Sequence, residues 1–133
     1  MAYVQTTGTH STNSSAWTQI PGLSLVIPEG VGTTAIIILN VPWPYAGGDN
    51  YPGGSFGIQV DGQLSPVIGG FTYNVINGNA RVPTTVVLGV PLGLKPQTIT
   101  AVWQNVRGSN VTIDTPAALT SIMDWRDRRS RTD

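Results

Sequence analysis

Two arginines carry the chemistry worth following in this chain, because Arg81 and Arg107 are the only arginines between residues 1 and 123. Arg81 lies in Phe71-Thr72-Tyr73-Asn74-Val75-Ile76-Asn77-Gly78-Asn79-Ala80-Arg81-Val82-Pro83, where two strand-like runs flank an Asn-Gly pair. Arg107 closes the apolar run Val102-Trp103-Gln104-Asn105-Val106 and is followed by Gly108-Ser109. A guanidinium donates through a fixed planar fork, so it can grip two adjacent oxygens at once. Each arginine has tyrosine, hydroxyl or amide residues as close sequence neighbours, and that setting points to a neutral, oxygen-rich ligand such as a sugar.

Other chemistries lack their parts. His10 is the only histidine and sits in a polar leader, so a Ser-His-Asp arrangement has no base. The body of the chain offers four acids, Glu29, Asp49, Asp61 and Asp114. Asp61 belongs to a turn and Asp114 is expected to cap a loop, which leaves no evident glycosidase pair. The loop Gly47-Gly48-Asp49-Asn50-Tyr51-Pro52-Gly53-Gly54 has the composition of a calcium loop but a single carboxylate, too few for that ion. No phosphate loop, dinucleotide fingerprint or zinc pattern occurs, and cysteine is absent. The expectation is a protein with neither metal nor cofactor, and not an enzyme.

Charge narrows the partners further. Seven basic and seven acidic residues cancel, and charged residues make up 11% of the chain, against about 25% in an ordinary domain. Neither nucleic acid nor an anionic membrane would be drawn to such a surface. The first residues, Met1-Ala2-Tyr3-Val4-Gln5, have no signal-peptide character, and the longest apolar run, Ala35 to Leu39, is too short for a bilayer. A soluble protein with neutral partners is expected. The tail from Asp124 to Asp133 carries seven charges in ten residues and reads as a solvated extension.

The elements that must position the arginines are strands. Ten short β-prone runs between Ala16 and Met123, punctuated by sixteen glycines and ten prolines, predict an all-β sandwich in one domain over residues 16–123. Residues 1–15 are expected as a polar arm, in part mobile, with residues 5–15 either loose or a strand lying on a partner. Asp61-Gly62 and Asn77-Gly78 are predicted as two-residue hairpin turns. The run Thr34-Ala35-Ile36-Ile37-Ile38-Leu39 does not alternate, which predicts burial on both faces, one in the core and one against a second subunit. A central strand beneath a long loop is the alternative.

Several segments together carry a family resemblance: Ile20-Pro21-Gly22-Leu23-Ser24-Leu25, Val41-Pro42-Trp43-Pro44-Tyr45-Ala46, Asn50-Tyr51-Pro52-Gly53, Phe71-Thr72-Tyr73, Arg81-Val82-Pro83 and Val106-Arg107-Gly108-Ser109. From about Trp17 to Ile122 the chain resembles the fucose-binding, TNF-like N-terminal domain of the Burkholderia superlectins. The resemblance implies a TNF-like jelly roll, a homotrimer, and a pocket for fucosylated oligosaccharides between subunits. It assigns Thr72, Tyr73 and Arg107 to one subunit's side of the pocket, and Arg81 and Tyr45 to the neighbour's. Two positions depart from the family. Ser55 stands where the family has a tyrosine, and Asn77-Gly78-Asn79-Ala80 replaces a pair of hydroxyl residues, with Asn79 expected to restore some contact. The rival readings are a structural or adhesive trimerisation module whose arginines only fix the interface, and a surface on which the two arginines merely pair with Asp61 or Asp114.

Overall fold

The computed structural model describes residues 1–123, and the charged tail lies outside them. The described residues form eleven strands and no helix: β1 (Ala2–Gln5), β2 (His10–Thr12), β3 (Thr18–Ile27), β4 (Thr34–Val41), β5 (Tyr45–Gly47), β6 (Gly53–Val60), β7 (Gln63–Thr72), β8 (Thr84–Pro91), β9 (Gln97–Val106), β10 (Asn110–Ile113) and β11 (Ala118–Met123). Two four-stranded antiparallel sheets, ordered β1-β11-β4-β8 and β3-β9-β6-β7, enclose the core, and a three-stranded sheet β2-β10-β5 lies beside them. The all-β sandwich expected from the sequence is the observed architecture. Its centre is Trp103 and Phe56, with rings 6.5 Å apart, surrounded by Ile20, Leu23, Ile37, Leu39 and Ile58.

The β6–β7 hairpin forms as its turn chemistry dictates. Asp61 and Gly62 both take positive φ, 50° and 82°, so Val60 pairs directly with Gln63. The Asp61 carboxylate is occupied there, accepting the Thr98 amide at 2.8 Å.

Two sequence expectations are corrected. Residues 73–83 do not form a hairpin about Asn77-Gly78; β7 ends at Thr72, and a tight turn closes with Gly78 N–H donating to Val75 O. Gly78 has no positive φ. It is small because Tyr73 lies against it, and a Cβ there would sit 2.7 Å from the Tyr73 Cβ. The polar leader is not a free arm, since β1 pairs with β11 and β2 with β10 of the same chain. One face of β4 enters the core, as expected, and its other face is apolar and open in the single chain. Ala35, Ile37, Leu39 and Val41 enter the core, whereas Ile36 is exposed and Ile38 half-buried on the outer face. Every position in its central run is apolar, so the sequence could not reveal which face the second layer of the sandwich would cover.

Candidate functional site

Arg107 is held by a second tight turn. Arg107 and Gly108 both take positive φ, 50° and 72°, and join β9 to β10 with Ser109 N–H donating to Val106 O. A non-glycine residue in this region costs about 1 to 2 kcal/mol, and several contacts over-determine it. The buried Ser109 hydroxyl bonds the carbonyls of Gly53 and Val106, both at 2.7 Å. The Arg107 side chain bends back to donate from Nε to Asn50 O at 2.8 Å and from a terminal nitrogen to Tyr51 O, with its guanidinium 5.8 Å from the Tyr51 ring centre. No carboxylate pairs with it among the described residues.

The pairing register brings Thr72 and Ser55 to this end of the molecule. Gly53 lies between Thr72 and Val106, and Ser55 between Gly70 and Gln104, so Thr72 and Ser55 face the same side of the sheet two residues apart in register. Gly53 and Gly70 leave that face shallow, and a Cβ on either would strike backbone atoms, at 2.2 Å and 2.6 Å. Thr72 is exposed and Ser55 half-buried.

The second arginine sits in a different setting. Arg81 forms a two-pronged ion pair with Asp114, one contact at 2.5 Å and the other at 2.8 Å, and donates to Trp43 O at 3.0 Å. Its guanidinium lies 4.7 Å from the centre of the Tyr45 ring, close enough for a cation–π contact. The pair stays in contact with solvent, with side-chain exposures of 32% for Arg81 and 30% for Asp114. The hydrogen bonds from Arg81 hold the Asp114 carboxyl below its ordinary range, and the same bonds raise the Arg81 guanidinium above its own. Asp114, expected as a loop cap, therefore serves Arg81 instead.

Tyr73 stands between the two arginine clusters. Its backbone N–H donates to Pro52 O at 2.9 Å, beside the Arg107 loop. Its hydroxyl donates to Ala80 O and accepts the Ala46 amide at 3.1 Å, beside Arg81 and Tyr45. With 8% exposure and its ring 5.4 Å from Phe71, Tyr73 packs into the core, so its ring presents no open face in the single chain. Asn79 is exposed in the segment leading to Ala80. The register thus places Thr72 and Ser55 on strand rows next to the Arg107 end of β9, while Arg81 and Tyr45 meet in direct contact. Of the arginine–carboxylate pairings open to the sequence, with Asp61 or Asp114, the structure forms Arg81–Asp114, while sequence reasoning missed Tyr51 beneath Arg107 and the exposed Trp43. The positive φ of Tyr51, 51°, had no glycine or asparagine to signal it.

Among the described residues there is no cluster of acidic or histidine side chains able to hold a metal ion. The arrangement presents two guanidiniums, each held beside a tyrosine ring, on a β sandwich. The family model described as "Bc2l-C, N-terminal domain" matches residues 1–122, and the chain belongs to that family. The resemblance to the Burkholderia lectin N-terminal domain read from the sequence is thereby established. No curated protein matches the chain. Among solved structures, it is similar to the insecticidal delta-endotoxin Cry8Ea1 from Bacillus thuringiensis, at 13% identity and a TM-score of 0.47 over 86% of this chain. The match spans 19% of the endotoxin chain. It is also similar to the CBM36-1 domain of a multidomain xylanase from the hindgut metagenome of Trinervitermes trinervoides, at 16% identity and a TM-score of 0.42, over 90% of this chain and 95% of that one.

Proposed function

We propose that the chain is a lectin subunit that binds fucosylated glycans, without catalysis, in pockets formed between neighbouring subunits of a homotrimer. The observation that carries this reading is the pair of solvent-accessible guanidiniums, already fixed over Tyr45 and Tyr51, in a member of this family. Prepositioned donors lose little freedom on binding a ligand. Arg81 and Arg107 supply donors to sugar hydroxyls, Asp114 an acceptor, and Thr72 and Asn79 groups that do both. Tyr73 contributes by holding the two clusters rather than by touching sugar with its ring.

The trimer draws support from two unlike apolar surfaces. The outer face of the first sheet carries Tyr3, Ile36, Ile38, Val87 and Ile122 with no charged residue in the central rows. The edge strand β7 exposes Leu64, Val67 and Ile68. A closed ring uses two different patches on each subunit. Passage of the chain between sheets from β3 to β4, β7 to β8 and β8 to β9 supports a jelly-roll winding of the TNF type.

Calorimetry with methyl fucoside, alongside light scattering, tests the reading. A trimer is expected, with monosaccharide affinity between millimolar and tens of micromolar, about 4 to 6 kcal/mol. A monomer would overturn the inter-subunit pocket. A trimer indifferent to every fucoside would favour the second reading, a structural module, which draws on the pairing of Arg81 with Asp114.

A further inference from the structure

We infer that Trp43 is a stacking platform for a second sugar residue, one linked to the fucose at the Arg81 cluster. The inference rests on the proposed lectin reading and extends it to a residue outside the pocket that the resemblance assigns. Trp43 is 49% exposed, whereas Trp103 is 2% exposed at the centre of the core. Leaving half an indole in water forgoes apolar burial, and a lone exposed aromatic is unremarkable unless its position gives it a task.

Its position does. The Trp43 carbonyl accepts the Arg81 guanidinium at 3.0 Å, which ties this residue directly to the ion pair with Asp114 and to the ring of Tyr45. Pro42 and Pro44 flank it between β4 and β5, and both have their φ fixed by the ring. Pro44 is buried, and its carbonyl accepts the Val82 amide at 3.1 Å, next to Arg81. Trp43 therefore sits on a stiff corner with little backbone freedom to lose.

The chemistry selects the ligand class. A pyranose presents hydroxyls at its rim and a run of C–H bonds on a face, and the electron-rich face of an indole attracts such weakly positive C–H groups. The indole N–H adds a donor for a rim hydroxyl. Arg81 and Asp114 neutralise each other, so the corner suits a neutral saccharide better than an ion. The occupant is accordingly a neutral hexopyranose adjoining fucose in an oligosaccharide, and free fucose alone does not reach it.

The test titrates wild type, Trp43→Ala and Trp43→Phe calorimetrically with methyl fucoside and with a fucosylated tetrasaccharide. Thermal melts establish that the exposed substitutions leave the fold intact. For Trp43→Ala, tetrasaccharide affinity should fall roughly three- to tenfold, the range of one lost aromatic stack, with methyl fucoside changed by less than about twofold. Trp43→Phe should retain most of the tetrasaccharide affinity. Unchanged tetrasaccharide binding by Trp43→Ala, with fucoside still bound, overturns the platform and leaves the lectin reading standing. Equal losses for both ligands also overturn it, because Trp43 would then act only by shaping the Arg81 cluster. Wild-type protein that binds neither ligand removes the lectin reading and the platform with it.

Discussion

Arg81 and Arg107 are fixed in opposite ways. A carboxylate 33 residues away in sequence grips Arg81 at its tip, and the pair is electrically balanced. Arg107 is gripped by main-chain carbonyls of the loop before β6 and keeps its charge without a carboxylate partner among the described residues. One cluster therefore offers donors and an acceptor together, while the other offers donors and a field. The positioning cost also falls in different places. For Arg107 it is a strained turn, and for Arg81 it is the long segment 73–83, which has no strand pairing and relies on Tyr73 for its shape.

Removing Tyr73 should disturb the two clusters to the greatest extent and should separate them. Tyr73→Ala deletes a buried ring and leaves Ala46 N–H and Ala80 O without their partner, so urea unfolding should show a loss of about 3 to 5 kcal/mol. Tyr73→Phe should lose about 1 to 3 kcal/mol. In the Phe variant, hydrogen exchange should accelerate at residues 79–82 and stay unchanged at Ser109. Uniform acceleration would mean that the clusters share one support.

The glycines sharpen the contrast at smaller scale. A Cβ on Gly78 meets Tyr73 at 2.7 Å, so Gly78→Ala should destabilise by about 1 to 3 kcal/mol through overpacking. Gly108 has open space around it but a φ of 72°, and Gly108→Ala should lose only about 1 kcal/mol, from backbone strain. Equal effects in thermal melts would contradict the assignment of crowding to one site and conformation to the other.

The smallest expected effect is the response to acid. Asp114 has its folded value depressed by Arg81, so its contribution to stability is complete above the ordinary carboxylate value of about 3.9 and is lost as pH falls through the folded value. The raised Arg81 value acts at the alkaline end, where its contribution persists below the ordinary guanidinium value and is lost only above it. Between pH 5 and 8, about the range of most assays, Asp114 and Arg81 should give stability no slope. Asp114→Asn should flatten the acid limb below about pH 4, as read by chemical denaturation across pH. An acid limb identical to wild type would show that the pair contributes nothing measurable.

What the sequence disclosed, and what it withheld, follows the range of the interactions. Asp61-Gly62 is legible because a two-residue turn depends on the φ of those residues alone. Asn77-Gly78 has the same appearance, but a distant ring decides its conformation, and the local rule fails. The strand content of β3, β4, β8 and β9 shows in their apolar and β-branched runs. β1 and β2 are short, and their pairing partners lie at the far end of the described chain, in β11 and β10. At the candidate site, both arginines and Tyr45 stand out by type and by resemblance. Asp114 is one of two carboxylates the sequence offers to the arginines, and Trp43 does not stand out; the relation of each to Arg81 is fixed only when β10 and the β4–β5 corner meet in space.

The central claim is that Arg107 of one subunit and Arg81 of the next complete a single pocket, and mixing two inactive variants tests it most directly. Arg81→Ala and Arg107→Ala proteins should each form trimers that fail to bind a fucoside detectably. Once they are unfolded together in equal amounts and refolded, about three quarters of the trimers should be mixed, each with one contact in three that brings an intact Arg107 against an intact Arg81, which is about a quarter of all subunit contacts. Fucoside binding should reappear at about that fraction of wild-type capacity, with wild-type affinity per site. Mixed trimers that remain inert would contradict the shared pocket and place both arginines' function within single subunits.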